Sequence, residues 1–145
     1  MGSNRLRDLI WKEEDFIAEI APKLKKVMRI DTKGNPYFLV PYAKLGDSQR
    51  IGLHLVARYL AKQLKSVDSE YLTIEELAHR VGTKYSVAGA RLKDMFDAGT
   101  VTKSKEKGKG TRYAILPHGI STIVEGVLKT KSGSKEDAEH DQENR

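Results

Sequence analysis

The chain of 145 residues contains no cysteine, a single tryptophan and no long apolar run. The lack of cysteine excludes disulfides, thiolate metal sites and cysteine nucleophiles, and it fits a reducing, cytoplasmic location. A membrane-spanning helix needs about 20 consecutive apolar residues, and the first residues also lack the apolar run of a signal peptide. We therefore expect no membrane partner.

Histidine is also scarce, since the chain has four such residues at positions 54, 79, 118 and 140. None of them pairs with another at the spacing of zinc ligands, so we expect no metal site and no other cofactor. The segment 108–111, Gly-Lys-Gly-Thr, lacks both the earlier glycine and the Lys-Ser/Thr ending of a phosphate loop. No Ser/His/Asp set stands out either, and we expect that the protein is not an enzyme.

The charges are unevenly distributed along the chain. Residues 1–130 contain 23 Lys/Arg and 15 Asp/Glu, whereas residues 131–145 contain three and five. A basic body favours a polyanionic partner, usually nucleic acid, although many proteins are basic for solubility alone. The segment 131–145 contains one apolar residue, Ala138, and is predicted to be a disordered acidic tail.

Residues 1–46 form the first predicted unit, an N-terminal helix followed by a β-hairpin. Apolar residues recur three and four apart over residues 5–28, which predicts a helix that Pro22 kinks or divides. Its predicted apolar face consists of Leu6, Leu9, Ile10, Phe16, Ile17, Ile20, Leu24 and Val27. Two short apolar runs then flank Gly34 and Asn35, and this pattern is typical of a hairpin turn. Pro36 cannot donate to a ladder, so its strand lies at an edge or begins there.

Residues 47–130 form the second predicted unit, in which local signals mark the helix ends. Asp47 or Ser48 can cap a helix over 49–65. The predicted apolar face of this helix consists of Ile51, Leu55, Val56, Tyr59, Leu60 and Leu64. Thr73 and Glu76 have the spacing of a capping box that opens a short helix, and Gly82 suits the left-handed cap that ends it. A longer helix over 84–98 ends at Gly99.

After Gly99 the pattern of the sequence changes from that of helices to that of β-strands. Residues 100–102 and 111–116 are β-prone, and a polar, glycine-bearing segment between them predicts a hairpin with a flexible tip. The segment from Val101 to Arg112, both included, contains five basic residues and one acidic residue. An amphipathic helix over 118–130 follows, with Ile120, Ile123, Val124, Val127 and Leu128 on one side.

This order of elements resembles the winged helix-turn-helix family. The stretch 76–82 resembles the second helix and turn of that family, and the stretch 88–101 resembles its recognition helix and the step into the wing. The resemblance covers about seventy residues, roughly 47–116, and loosely includes small archaeal-type winged-helix DNA-binding proteins. We therefore expect an α+β, mostly helical fold: a winged helix-turn-helix with an N-terminal helix plus hairpin and a C-terminal helix.

The resemblance implies duplex DNA binding, in which the helix over 84–98 enters the major groove and the basic wing over 101–115 contacts the backbone. Transcriptional regulation is the function that it implies. The candidate DNA-binding residues are Arg80, Lys84, Tyr85, Ser86, Lys93, Lys103, Lys105, Lys107, Lys109 and Arg112.

Two positions depart from the expected pattern and keep other functions open. Gly89 and Ala90 stand where long polar side chains are common, and neither can contact a base through two hydrogen bonds. Gly89 can also be explained by close approach to a neighbouring backbone. The alternatives are a protein-interaction module on the same scaffold and RNA binding through the basic face. The helix over 118–130 either forms a homodimer or packs on the first helix of its own chain.

Overall fold

The computed structural model describes the backbone of residues 6–106, 108 and 110–143, and the side chains of residues 6–105, 108 and 110–130. The predictions for Lys107 and Lys109 lie outside the described residues. The elements in chain order are α1 (Glu13–Leu24), β1 (Met28–Ile30), β2 (Pro36–Phe38), a 3-10 turn (Tyr42–Lys44), α2 (Asp47–Gln63), β3 (Leu72–Thr73), α3 (Ile74–Val81), α4 (Tyr85–Asp97), β4 (Val101–Glu106), β5 (Gly110–Ile115) and α5 (Pro117–Glu143).

The fold class is the expected one, a mostly helical α+β winged helix-turn-helix. Helices α3 and α4 form the helix-turn-helix, and β4 and β5 form the wing. Strand β5 lies between β4 and the short strand β3 in an antiparallel sheet. Strands β1 and β2 form a separate hairpin, in which Ile30 pairs with Pro36, the first residue of its strand.

Helix α2 is the centre of the core. Its buried side chains, which include Ile51, Leu53, Val56 and Ala57, point to more than half of the helix circumference. We predicted a single apolar face that included Leu64, but this residue is 64% exposed. The helix begins at Asp47, and its N-cap is Gly46 rather than the predicted Asp47 or Ser48.

The helix-turn-helix forms where its local signals place it. The Thr73 hydroxyl accepts a hydrogen bond from the Glu76 amide, and the Glu76 carboxylate accepts one from the Thr73 amide, both at 3.0 Å. Gly82 has a φ of 78°, the left-handed conformation that ends α3. Leu77 and Leu92 are fully buried, so each of the two helices is anchored in the core by its inner face.

The N-terminal helix differs from the prediction. It begins at Glu13 and not near residue 5, and it continues through Pro22, which lies in its last turn. Pro22 has no N–H to donate to the carbonyl four residues earlier, so the last turn lacks one bond of the ladder although the helix continues to Leu24. Leu6, Leu9 and Ile10, which we placed on the apolar face of this helix, precede it and are more than 60% exposed.

The C-terminal helix packs on its own chain. Ile120, Val124 and Val127 are fully buried, and α5 contacts both α2 and α1. Lys23 of α1 and Glu125 of α5 form an ion pair of 3.1 Å. This arrangement agrees with the packing alternative, since the face suggested for dimerisation is already used within the chain. The backbone of α5 is helical to Glu143; disorder of residues 131–145 in solution stays a prediction.

Candidate nucleic-acid interface

The outer face of α4 is exposed along its length. Ala88, Leu92 and Met95 hold the inner face in the core. Lys84 is the N-cap of α4, and the side chains of Tyr85, Ser86, Ala90 and Lys93 are all exposed. The outer face of the predicted recognition helix is therefore not covered by other parts of the described chain.

Charge is divided between the two halves of this helix. No acidic residue occurs in its first turn. Asp94 and Asp97 are both exposed in the second half, and Asp94 forms an ion pair of 3.6 Å with Arg91. A phosphate backbone is repelled by exposed carboxylates, so the first half of α4 is the half that suits a polyanion.

Helix α4 and the wing lie side by side. Tyr85, in the first turn of α4, lines a cleft of about 310 Å³ together with Gly110 and Thr111 of β5. Near the other end of α4, the Lys103 ammonium of β4 lies 4.3 Å from the centre of the Phe96 ring. The helix thus runs along the hairpin, with its first turn toward the wing tip.

The register of the wing divides the predicted basic residues between two faces. Lys103 pairs with Tyr113 and Lys105 with Thr111, whereas Arg112 pairs with Ser104. Because alternate residues of a strand point to opposite faces, Lys103 and Lys105 share one face and Arg112 lies on the other. The Arg112 guanidinium lies 5.8 Å from the centre of the Tyr71 ring. The structure therefore separates Arg112 from the lysines with which we grouped it.

The wing ladder is longer than the predicted strands. It extends from the pair Val101–Ile115 to the pair Glu106–Gly110. Lys103 and Lys105 therefore lie in β4 and not in the flexible tip that we predicted between residues 103 and 110. Their directions are fixed by the backbone ladder.

Arg80 is exposed on α3 and lies near α2. Burial, together with the positive charge of Arg80, lowers the pKa of His54 to about 4. The pKa of Arg58 is also lowered, first by burial and then by Arg80. The structure thus groups Arg80 with Arg58 and His54 at the junction of α2 and α3.

A second cleft extends the exposed face of α4 toward the start of α2. It has a volume of about 570 Å³, and its walls include Ser48 and Gln49 on α2 and Ser86 and Ala90 on α4. The sequence offered no signal for Ser48 and Gln49 as surface partners of α4, since only the packing of α2 on α4 brings them there.

Gly89 does not serve close packing within the chain. A Cβ atom at this position would meet only methyl groups of Ile74, at 3.8 Å and 4.0 Å, which is ordinary van der Waals contact. The explanation by close approach to a neighbouring backbone is therefore wrong for the described part of the chain. Gly89 and Ala90 therefore form two adjacent positions of α4 without long side chains, followed by Arg91.

The histidines that the structure describes are not gathered into a site. The Tyr42 hydroxyl and His54 Nε2 are 3.0 Å apart within an aromatic cluster that includes Phe38. Within the described residues, no three His, Asp or Glu side chains come together as metal ligands. No helix in the same part of the chain is long and apolar enough to cross a bilayer.

Comparisons with known proteins add little to this description. No family model matches the chain, and no curated protein matches it. A solved structure of S. aureus MepR bound to ethidium bromide aligns with 92% of this chain and 91% of its own, with a TM-score of 0.40 and 12% identity. A likeness at this level supports no conclusion about function.

Proposed function

We propose that this protein binds duplex DNA, with the first half of α4 in the major groove and the wing on the adjacent backbone. One observation supports this most strongly: Tyr85, in the exposed, acid-free first turn of α4, lines the same cleft as Thr111, the wing residue that pairs with Lys105. A helix and a two-stranded ribbon in this relation match the width of a major groove and its flanking phosphates.

The exposed cations around this surface supply the affinity. Lys84 and Lys93 flank the small residues of α4, and Lys105 projects from the outer part of β4. Each phosphate contact releases condensed counterions and conveys no sequence information. Lys107 and Lys109, outside the described residues, stay predicted members of this set, whereas Arg80 and Arg112 are less well placed for it.

Base reading is limited by the side chains that face outward. Ser86 can hydrogen-bond to a phosphate or a base edge, and Ala90 can contact a thymine methyl group. Neither makes the paired hydrogen bonds by which Arg or Asn selects a base. We therefore infer weak sequence preference and a strong dependence of affinity on salt.

A fluorescence anisotropy titration with a labelled duplex of about 24 base pairs at several KCl concentrations tests this proposal. We expect log K to fall linearly with log salt. The double variant Lys84→Gln/Lys93→Gln should reduce the slope by about 0.9 for each phosphate that the protein no longer neutralises. The double variant Lys25→Gln/Lys26→Gln removes two exposed lysines beyond α1 and serves as the matched control. Undetectable or salt-independent binding of the wild type would refute the proposal.

Other outcomes of the same experiment select the alternatives. Tighter binding to an RNA competitor than to the DNA duplex would favour RNA binding through the same face. The lack of nucleic-acid binding, with a stable protein partner recovered, would favour an interaction module. Transcriptional regulation, homodimerisation through α5, a cytoplasmic location and the likeness to archaeal-type proteins stay predictions.

A further inference from the structure

The contact between Phe96 and Lys103 is the starting point of the inference. Phe96 is a large apolar residue in the last turn of α4, and it is 37% exposed. The ammonium of Lys103 lies 4.3 Å from its ring centre, well within the distance of a cation–π interaction. Among the residues whose side chains are described, no carboxylate forms an ion pair with Lys103.

This contact lies near the position where the third strand, β3, stops pairing with the wing. Strand β3 pairs with β5 only at Tyr113 and Arg112. The next pairs outward, Lys105–Thr111 and Glu106–Gly110, belong to β4 and β5 alone. Lys103 pairs with Tyr113 and therefore stands on the supported part of the ladder, just before the wing becomes a two-stranded ribbon.

A two-stranded ribbon is marginally stable by itself, so its direction depends on contacts near its base. Phe96 provides such a contact from the helix that faces the proposed DNA. An ammonium over an aromatic face is also directional, because it is attracted to the ring face and not to its edge. The contact therefore connects the direction of β4 with that of α4.

We propose that Phe96 is a positioning residue, which holds Lys103 and so sets the angle between the wing and the recognition helix. This inference rests on the proposed DNA binding and changes the role of Lys103 within it. Lys103 acts through Phe96, and Lys105, two residues further along the same face, contacts phosphate. The rigid angle lets the wing and the start of α4 engage one duplex together.

The anisotropy titration separates these two roles of lysine through the salt slope. Phe96→Leu keeps an apolar side chain but removes the aromatic face, and we expect it to weaken binding about two- to five-fold with an unchanged slope. Lys103→Gln should have the same effect, and the two changes together should not add. Lys105→Gln, the matched control, should reduce the slope by about 0.9. Phe96→Trp, which keeps an aromatic face, should bind with wild-type affinity.

A measurement without DNA keeps the inference separate from the proposed function. In the free protein, ¹⁵N relaxation should show a lower order parameter for the Lys105 amide in Phe96→Leu than in the wild type. Equal order parameters would overturn the inference, whether or not DNA binds. A slope reduced by Lys103→Gln in both the wild-type and the Phe96→Leu backgrounds would also overturn it, because Lys103 would then contact phosphate. Failure of the wild type to bind DNA would refute the proposed function instead.

Discussion

The Nε2 atom of His118 lies 2.6 Å from the carbonyl oxygen of Gly99, so the first turn of α5 contacts the residue that joins α4 to the wing. Two further contacts hold the same junction. The Leu116 amide donates to the Thr100 carbonyl at 3.1 Å, and Gly119 lies so near this carbonyl that a Cβ atom would overlap it. The C-terminal helix thus fixes the place from which the wing departs.

The substitution Gly119→Ala tests this junction. We expect a loss of about 1–3 kcal/mol in the free energy of unfolding, because the added methyl group meets backbone, which cannot rotate away. Urea denaturation measures the loss. Gly126→Ala is the control on the same helix, since its Cβ atom would meet only the flexible end of Gln49 at 3.6 Å. Equal stability of Gly119→Ala and the wild type would contradict the packing described.

The pair Ala90→Glu and Ala90→Lys tests the outer face of α4. Ala90 is exposed, so both variants should keep the free energy of unfolding within about 0.5 kcal/mol of the wild type. We expect Ala90→Glu to weaken DNA binding roughly ten-fold or more through repulsion of phosphates, and Ala90→Lys to bind at least as tightly as the wild type at low salt. Anisotropy measures both, and identical affinities of the two variants would place the DNA elsewhere.

His54 should make stability depend on pH. Its pKa in the folded protein, about 4, lies below the ordinary value of 6.5, chiefly because of burial. The contribution of neutral His54 to the free energy of unfolding is therefore complete above pH 6.5. It is lost as the pH falls toward 4, because over this range the unfolded chain binds a proton at His54 and the folded chain does not. We expect a loss of roughly 1–3 kcal/mol across this window.

The variant His54→Leu provides the comparison. The difference in the free energy of unfolding between the wild type and this variant should be constant above about pH 7 and should fall between pH 6.5 and 4. Urea denaturation at several pH values gives this difference and cancels the titration of other groups. A difference that does not change across the window would contradict the burial of a neutral His54.

Glu70 should oppose folding at neutral pH. Burial raises its pKa, and the charge of Glu13 raises it further; Glu13 itself accepts a hydrogen bond of 2.6 Å from the Tyr59 hydroxyl. Stability is therefore lost as the pH rises through the pKa of folded Glu70. We expect Glu70→Gln to raise the urea midpoint of unfolding at about pH 7. The control Glu19→Gln, at an exposed position on α1, should leave this midpoint nearly unchanged. A lower midpoint for Glu70→Gln would refute the repulsion.

Local signals in the sequence predicted the helix-turn-helix well. The reciprocal bonds of Thr73 and Glu76, the left-handed Gly82 and the exit at Gly99 each depend on residues within a few positions of each other. Such features are decided by the backbone near the residue itself, and one sequence is enough to recognise them.

Features that depend on distant parts of the chain were harder to predict. Leu53 is buried because α2 is covered on several sides, which a single apolar face does not anticipate. The two residues of β3 are too few to give a pattern, although they complete the sheet. The division of Lys103 and Arg112 between two faces follows from the wing register, which loop composition did not reveal.

A titration of ¹⁵N-labelled protein with a DNA duplex, followed by amide chemical shifts, tests most directly whether α4 and the wing form one DNA-binding surface. We expect the amide signals of residues 84–93 and 101–106 to shift together with a single binding curve. The amide signals of residues 13–38 should not change. Shifts confined to residues outside α4 and the wing, or no shifts at all, would contradict a shared surface.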